Sequence, residues 1–110
     1  MADLAKYLVQ ASYRADGSKA VLKEGASKRV GVVKAMTEGL GGSMEAFYFG
    51  FGDSDLYVLA DLPDNTAAAA VAAAVWSSGA LSSYQTTVLL TAEEIDAAAK
   101  MALSYRPPGS

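Results

Sequence analysis

These 110 residues predict a single α+β domain in the ferredoxin-like βαββαβ order, a four-stranded antiparallel sheet followed by an extra C-terminal helix. Three observations lead there. Residues 5–14 alternate in the strand manner, with Tyr7, Val9, Ala11 and Tyr13 on one side and Leu8, Gln10 and Ser12 on the other. The period then changes to that of a helix, with Leu22, Ala26, Val30, Val33, Thr37 and Leu40 recurring every three or four residues. Two aromatic and β-branched runs, 43–51 and 55–62, follow with only Gly52-Asp53-Ser54 between them, the composition of a hairpin.

The remaining elements follow from local chemistry. Asp16-Gly17-Ser18 is expected to turn the chain before the first helix, and Gly25 to divide that helix in two with Ser27 as a new N-cap, since glycine within a helix costs about 1 kcal/mol. Gly41-Gly42 ends the second piece. Pro63 stops the third strand, Asp64 or Asn65 caps an alanine-rich helix running to about residue 77, and Gly79 closes it. Residues 81–90 form the fourth strand. Thr91-Ala92-Glu93-Glu94 has the spacing of a capping box for a last helix with Ile95, Ala98, Ala99 and Ala102 on its apolar face. The domain is expected over residues 1–104, and residues 105–110, with Pro107-Pro108, as an extended tail that lies on a neighbour.

Both parities of the hairpin strands are apolar: Phe47, Phe49, Phe51, Tyr57 and Leu59 on one, Met44, Ala46, Tyr48, Leu56, Val58 and Ala60 on the other. Helices on one face of the sheet leave the second face without cover, so a second copy of the chain is expected to pack sheet to sheet as a homodimer or higher homo-oligomer.

Composition narrows the chemistry. The chain has no cysteine and no histidine, which removes imidazole triads, thiolate nucleophiles and the usual zinc sites; no metal and no cofactor are expected. Net charge is −3, against a nucleic-acid partner, although the residues up to Lys34 carry net +4 and the rest net −7. Lys19, Lys23, Lys28, Arg29 and Lys34 read as a solvated helix face. The early acidic residue and lack of a long apolar run are unlike a signal peptide, and the longest apolar stretch, 67–76, is too short for a bilayer, so no membrane partner and a cytoplasmic location are expected.

The stretches Gly17-Ser18-Lys19-Ala20-Val21-Leu22-Lys23-Glu24-Gly25, Arg29, Leu40-Gly41-Gly42, Ala46-Phe47-Tyr48-Phe49, Phe51-Gly52-Asp53, Asp61-Leu62-Pro63-Asp64-Asn65 and Leu89-Leu90-Thr91-Ala92-Glu93-Glu94 occur in an order and spacing that resemble the GYD domain family of small bacterial proteins. Serine stands at Ser54 where the family's naming tetrapeptide has tyrosine, so Gly52-Asp53-Ser54-Asp55 keeps the turn and both carboxylates without the phenol. The resemblance implies a dimeric α+β barrel type of fold and no established activity.

Candidate site residues are few. Asp53 and Asp55, two apart at the hairpin, could split their pKa values and act as acid and base, against the plainer reading of turn chemistry. Tyr7, Tyr13, Tyr48, Tyr57 and Tyr84 fall on strands, where a phenol both packs and places a hydroxyl in a cavity, with Arg14, Glu45 or Asp61 as a charged wall. Gly50 and Gly52 look like part of a phosphate loop but do not precede a helix, and Trp76 reads as a core or interface residue. The ligand-binding set is therefore Arg14, Tyr48, Asp53, Asp55 and Tyr57. Two functions compete: a non-enzymatic homo-oligomeric module that binds a small organic molecule, and a cofactor-independent enzyme in which Tyr48, Tyr57, Asp55 or Arg14 polarises a substrate between helices and sheet.

Overall fold

The computed structural model describes residues 3–109, so Met1, Ala2 and Ser110, at the ends of the expected domain and tail, lie outside the described residues. Eight elements follow in order: β1 (Ala5–Tyr13), α1 (Ala15–Glu24), α2 (Ala26–Gly39), β2 (Ser43–Phe49), β3 (Leu56–Leu62), α3 (Asn65–Trp76), β4 (Leu81–Leu89) and α4 (Ala92–Ala99). The strands make one open antiparallel sheet in the order β2-β3-β1-β4.

Gly25 divides the first helical segment as its position predicts, at φ 109°, a conformation that side chains with a Cβ resist. Two local details differ from expectation. Residues 16–18 lie inside α1 rather than in a turn, because Gly17 is buried flat against the Ala80 carbonyl and a helix there brings the two backbones together. Ser27 does not cap α2, which begins at Gly25 without a side-chain cap. The other two caps form: Asp64 accepts from the Ala67 N–H at 2.9 Å, and Thr91 with Glu94 closes a reciprocal capping box.

The registers assign each side chain to a face, since residues directly opposite across strands share one. Met44, Ala60, Tyr7 and Val88 form one row beneath the helices, Phe47, Val58, Val9 and Thr86 the next, and Phe49, Leu56, Ala11 and Tyr84 a third. An irregularity at Glu45 lets Met44 and Phe47, of opposite parity, share this face. The core centres on β1 and β3, with Ala11, Leu56, Val58, Ala60 and Leu81 in one buried cluster and Tyr7, Leu62 and Ala68 in another. Alanines on α3 allow its backbone to approach the sheet closely.

The opposite face carries Ser43, Asp61, Lys6 and Leu89 in one row, Ala46, Leu59, Leu8 and Thr87 in the next, and Tyr48, Tyr57, Gln10 and Gln85 in a third. It is uncovered within the chain, but it is mixed rather than wholly apolar: Lys6 bridges Glu45 at 2.6 Å and Asp61 at 3.2 Å along one border. Tyr48 is 70% exposed, and Trp76, at the end of α3, is half-exposed and outside the core. No residue of α4 is buried, and among the described residues no helix is long and apolar enough to cross a membrane.

Candidate functional site

Between the helix side of the sheet and α1, α2 and α3 lies a cavity of about 380 Å³. Most of its wall is aliphatic or aromatic, from Val58 and Leu56 on β3, Phe47 on β2, Val33 and Met36 on α2, and Val71 and Val75 on α3. Its polar groups are set apart. Near one end the Tyr7 hydroxyl is bonded to Asn65 Oδ1 at 2.7 Å, which satisfies the most deeply buried phenol of the protein. Tyr13, Tyr84, Glu24 and Arg29 also line the space.

The break at Gly25 brings Glu24 and Arg29 of this second group together. Glu24 ends α1 and Arg29 lies in the first turns of α2, so the kink folds the two side chains onto each other, with Arg29 Nη2 donating to Glu24 Oε2 at 2.8 Å. Tyr13 closes β1 within reach of both charges, and Tyr84 stands opposite Ala11 on β4. Burial pushes the Tyr13 phenol up, the Arg29 charge opposing and Asp55 and Glu24 adding to it. Burial pushes the Tyr84 phenol up as well, the neighbouring Thr86 hydroxyl opposing. Both rings therefore remain neutral, proton-bearing phenols at neutral pH.

Two polar atoms of these residues are sealed from any water-sized probe without a well-formed hydrogen bond: the Arg29 Nε, and the Tyr84 hydroxyl oxygen, which has only the Thr86 hydroxyl beside it. A buried donor left without a good partner costs about 1–3 kcal/mol.

The residues singled out from sequence fall elsewhere. Tyr48 and Tyr57 are paired across strands on the open face, away from the cavity. Arg14 is exposed between β1 and α1. Asp53 is exposed in the 50–55 connection, and Asp55 secures its own end of the sheet, its Oδ2 accepting from the Tyr13 N–H at 2.9 Å while its N–H donates to the Ala11 carbonyl at 2.9 Å. Glu45 and Asp61 meet Lys6 on the open face; the hydrogen bond that Lys6 Nζ donates to Glu45 is the chief cause that holds the Lys6 ammonium above its ordinary pKa. Of the five strand tyrosines, Tyr7, Tyr13 and Tyr84 reach the cavity. The sequence pattern does not mark Glu24 and Arg29 as a pair, and Arg29 reads there as one more solvated cation. The available signal was the glycine between them, since a helix break converts a five-residue separation into a contact.

A protein-family model described as GYD domain matches residues 7–99, which takes in β1 from Tyr7 on, the other three strands and all four helices. Neither the curated proteins nor the solved structures compared with the chain give a match.

Proposed function

The chain belongs to the GYD domain family, and we propose that it is a homo-oligomeric module that binds a small organic molecule between its helices and its sheet. The observation that carries this reading is the cavity: its volume of about 380 Å³ falls in the range of ligand sites, about 300–1,000 Å³, and its wall joins a large apolar surface to a few polar groups. The strand order β2-β3-β1-β4, with α1, α2 and α3 on one side, supports a ferredoxin-like domain of the dimeric α+β barrel type, in which a second copy covers the open face. A screen of neutral aromatic fragments by methyl NMR tests the binding. Fragments are expected to shift the methyls of Val33, Val58 and Val75, and Val33→Phe, which fills the space, is expected to abolish those shifts. Fragments that move only surface resonances, or that bind the filled variant equally well, would remove the reading.

The carboxylate, guanidinium and phenol of Glu24, Arg29 and Tyr13, near one another on the cavity lining, favour a second reading, a cofactor-independent enzyme acting on such a molecule. The neutral phenols suit it to polarising a carbonyl rather than to removing a proton as phenolate. Product formation from a bound fragment, in proportion to protein and lost in Arg29→Gln, distinguishes it from binding alone.

A further inference from the structure

We infer that the cavity takes an uncharged, hydrocarbon-like molecule, held by the burial of its surface and not by hydrogen bonds to the wall. This rests on the binding reading above and names the ligand class for the same site.

The wall decides what a ligand can gain. Phe47, Leu56 and Val58 from the sheet and Val33, Val71 and Val75 from the helices face the space with side chains that hold no polar atom. The polar side chains among them direct their hydrogen bonds into the protein. The Tyr7 hydroxyl is bonded to Asn65 Oδ1 at 2.7 Å, Thr37 Oγ1 donates to the Val33 carbonyl at 2.8 Å, Ser78 Oγ donates to the Val75 carbonyl at 2.7 Å, and Arg29 Nη2 donates to Glu24 at 2.8 Å. The Arg29 Nε and the Tyr84 hydroxyl are sealed, so neither is presented to a molecule in the cavity. Thr86 stands beside the Tyr84 hydroxyl, and Tyr13 lies beside the ion pair at the end of β1.

A carbonyl or hydroxyl carried into such a space gives up its hydrogen bonds to water and meets, over most of the wall, groups that return none. A carboxylate loses more, because the one guanidinium on the lining is already offset by Glu24 at 2.8 Å. A hydrocarbon has no such loss and gains the removal of its surface from water. Size points to a fused ring system: an apolar cavity of about 150 Å³ holds benzene, and this one, at about 380 Å³, has room for two rings.

Three probes of nearly equal size test this: tetralin, its ketone α-tetralone, and tetralin-1-carboxylate, each titrated into the full chain and followed at the methyls of Val33, Val58 and Val75. Tetralin is expected to bind about tenfold tighter than the ketone, the ratio that follows when a carbonyl is buried without a partner, and the carboxylate to leave those methyls unmoved. Glu24→Gln and Arg29→Gln are each expected to keep the tetralin affinity and the tetralin-to-ketone ratio within about twofold, since neither side chain bonds the ligand. A ketone that binds within about twofold of tetralin, or more tightly, or a ratio that moves beyond twofold in either variant, would show that polar groups of the wall reach the ligand, and would overturn the inference while leaving the binding reading in place. Tightest binding by the carboxylate would overturn it on charge. Failure of all three probes to shift the cavity methyls would overturn the inference and the binding reading together.

Discussion

Tyr7 and Tyr84 lie on neighbouring strands under the same helices, yet their hydroxyls differ in what removal does. The Tyr7 hydroxyl is bonded to Asn65 at 2.7 Å, joining β1 to the first residue of α3. Tyr7→Phe is expected to lower the unfolding free energy by about 1 kcal/mol, the usual net value of a hydrogen bond. The Tyr84 hydroxyl is buried with only the Thr86 hydroxyl beside it and no well-formed hydrogen bond, so Tyr84→Phe is expected to leave stability unchanged or to raise it by up to about 1 kcal/mol. Urea denaturation of the two variants beside the parent checks both, and an equal loss in both would show that the Tyr84 hydroxyl is satisfied in solution.

At the scale of the element, glycine does two different jobs in the paired helices. A Cβ at Gly17 would run into the Ala80 carbonyl, where α1 presses on the segment leading into β4, so Gly17→Ala must separate the two and is expected to destabilise by about 1–3 kcal/mol. Gly31, exposed in the middle of α2, has open space around it, and Gly31→Ala is expected to stabilise by about 0.5–1 kcal/mol because alanine loses less freedom on entering a helix. Thermal melts of the pair check the contrast, and matching changes in Tm would show that α1 does not make its close contact. The same logic explains β2: only the irregularity at Glu45 lets two apolar residues of opposite parity, Met44 and Phe47, enter one core, while Glu45 itself turns to Lys6 on the other face.

The whole chain is more extended than one core requires. Its radius of gyration is 17.0 Å, against about 13 Å for a compact domain of this length. Part of the excess comes from α4 and the residues after it, which are exposed throughout, Ile95, Leu103 and Tyr105 included. With the uncovered face of the sheet, where Leu8, Leu59 and Ala46 form a row, this is the surface a second copy would bury. Light scattering is expected to give about twice the 11.3 kDa chain mass or more, and Leu59→Lys, at the middle of that row, to reduce it to one chain while circular dichroism stays unchanged. A parent protein that runs as a single chain at micromolar concentration would remove the oligomer from the proposed function, though not the cavity.

Alternation, periodicity and cap chemistry in the sequence alone were sufficient for the order of elements, the division at Gly25 and the caps at Asp64 and Thr91, because each depends on residues a few positions apart; the family came from a resemblance in the order of stretches along the chain. Which faces met, and which polar groups were left over, depended on tertiary structure. Tyr48 and Tyr57 look no different in sequence from Tyr13 and Tyr84, but strand pairing turns the first two to the open face and the latter two to the cavity. Arg29 looks like its neighbouring lysines until the kink at Gly25 folds it against Glu24 and the wall of the cavity closes over its Nε. Hydrogen-bond satisfaction is a property of the packed whole, because a donor becomes unpaired only when distant segments have excluded water from it, and no local pattern of residues records that.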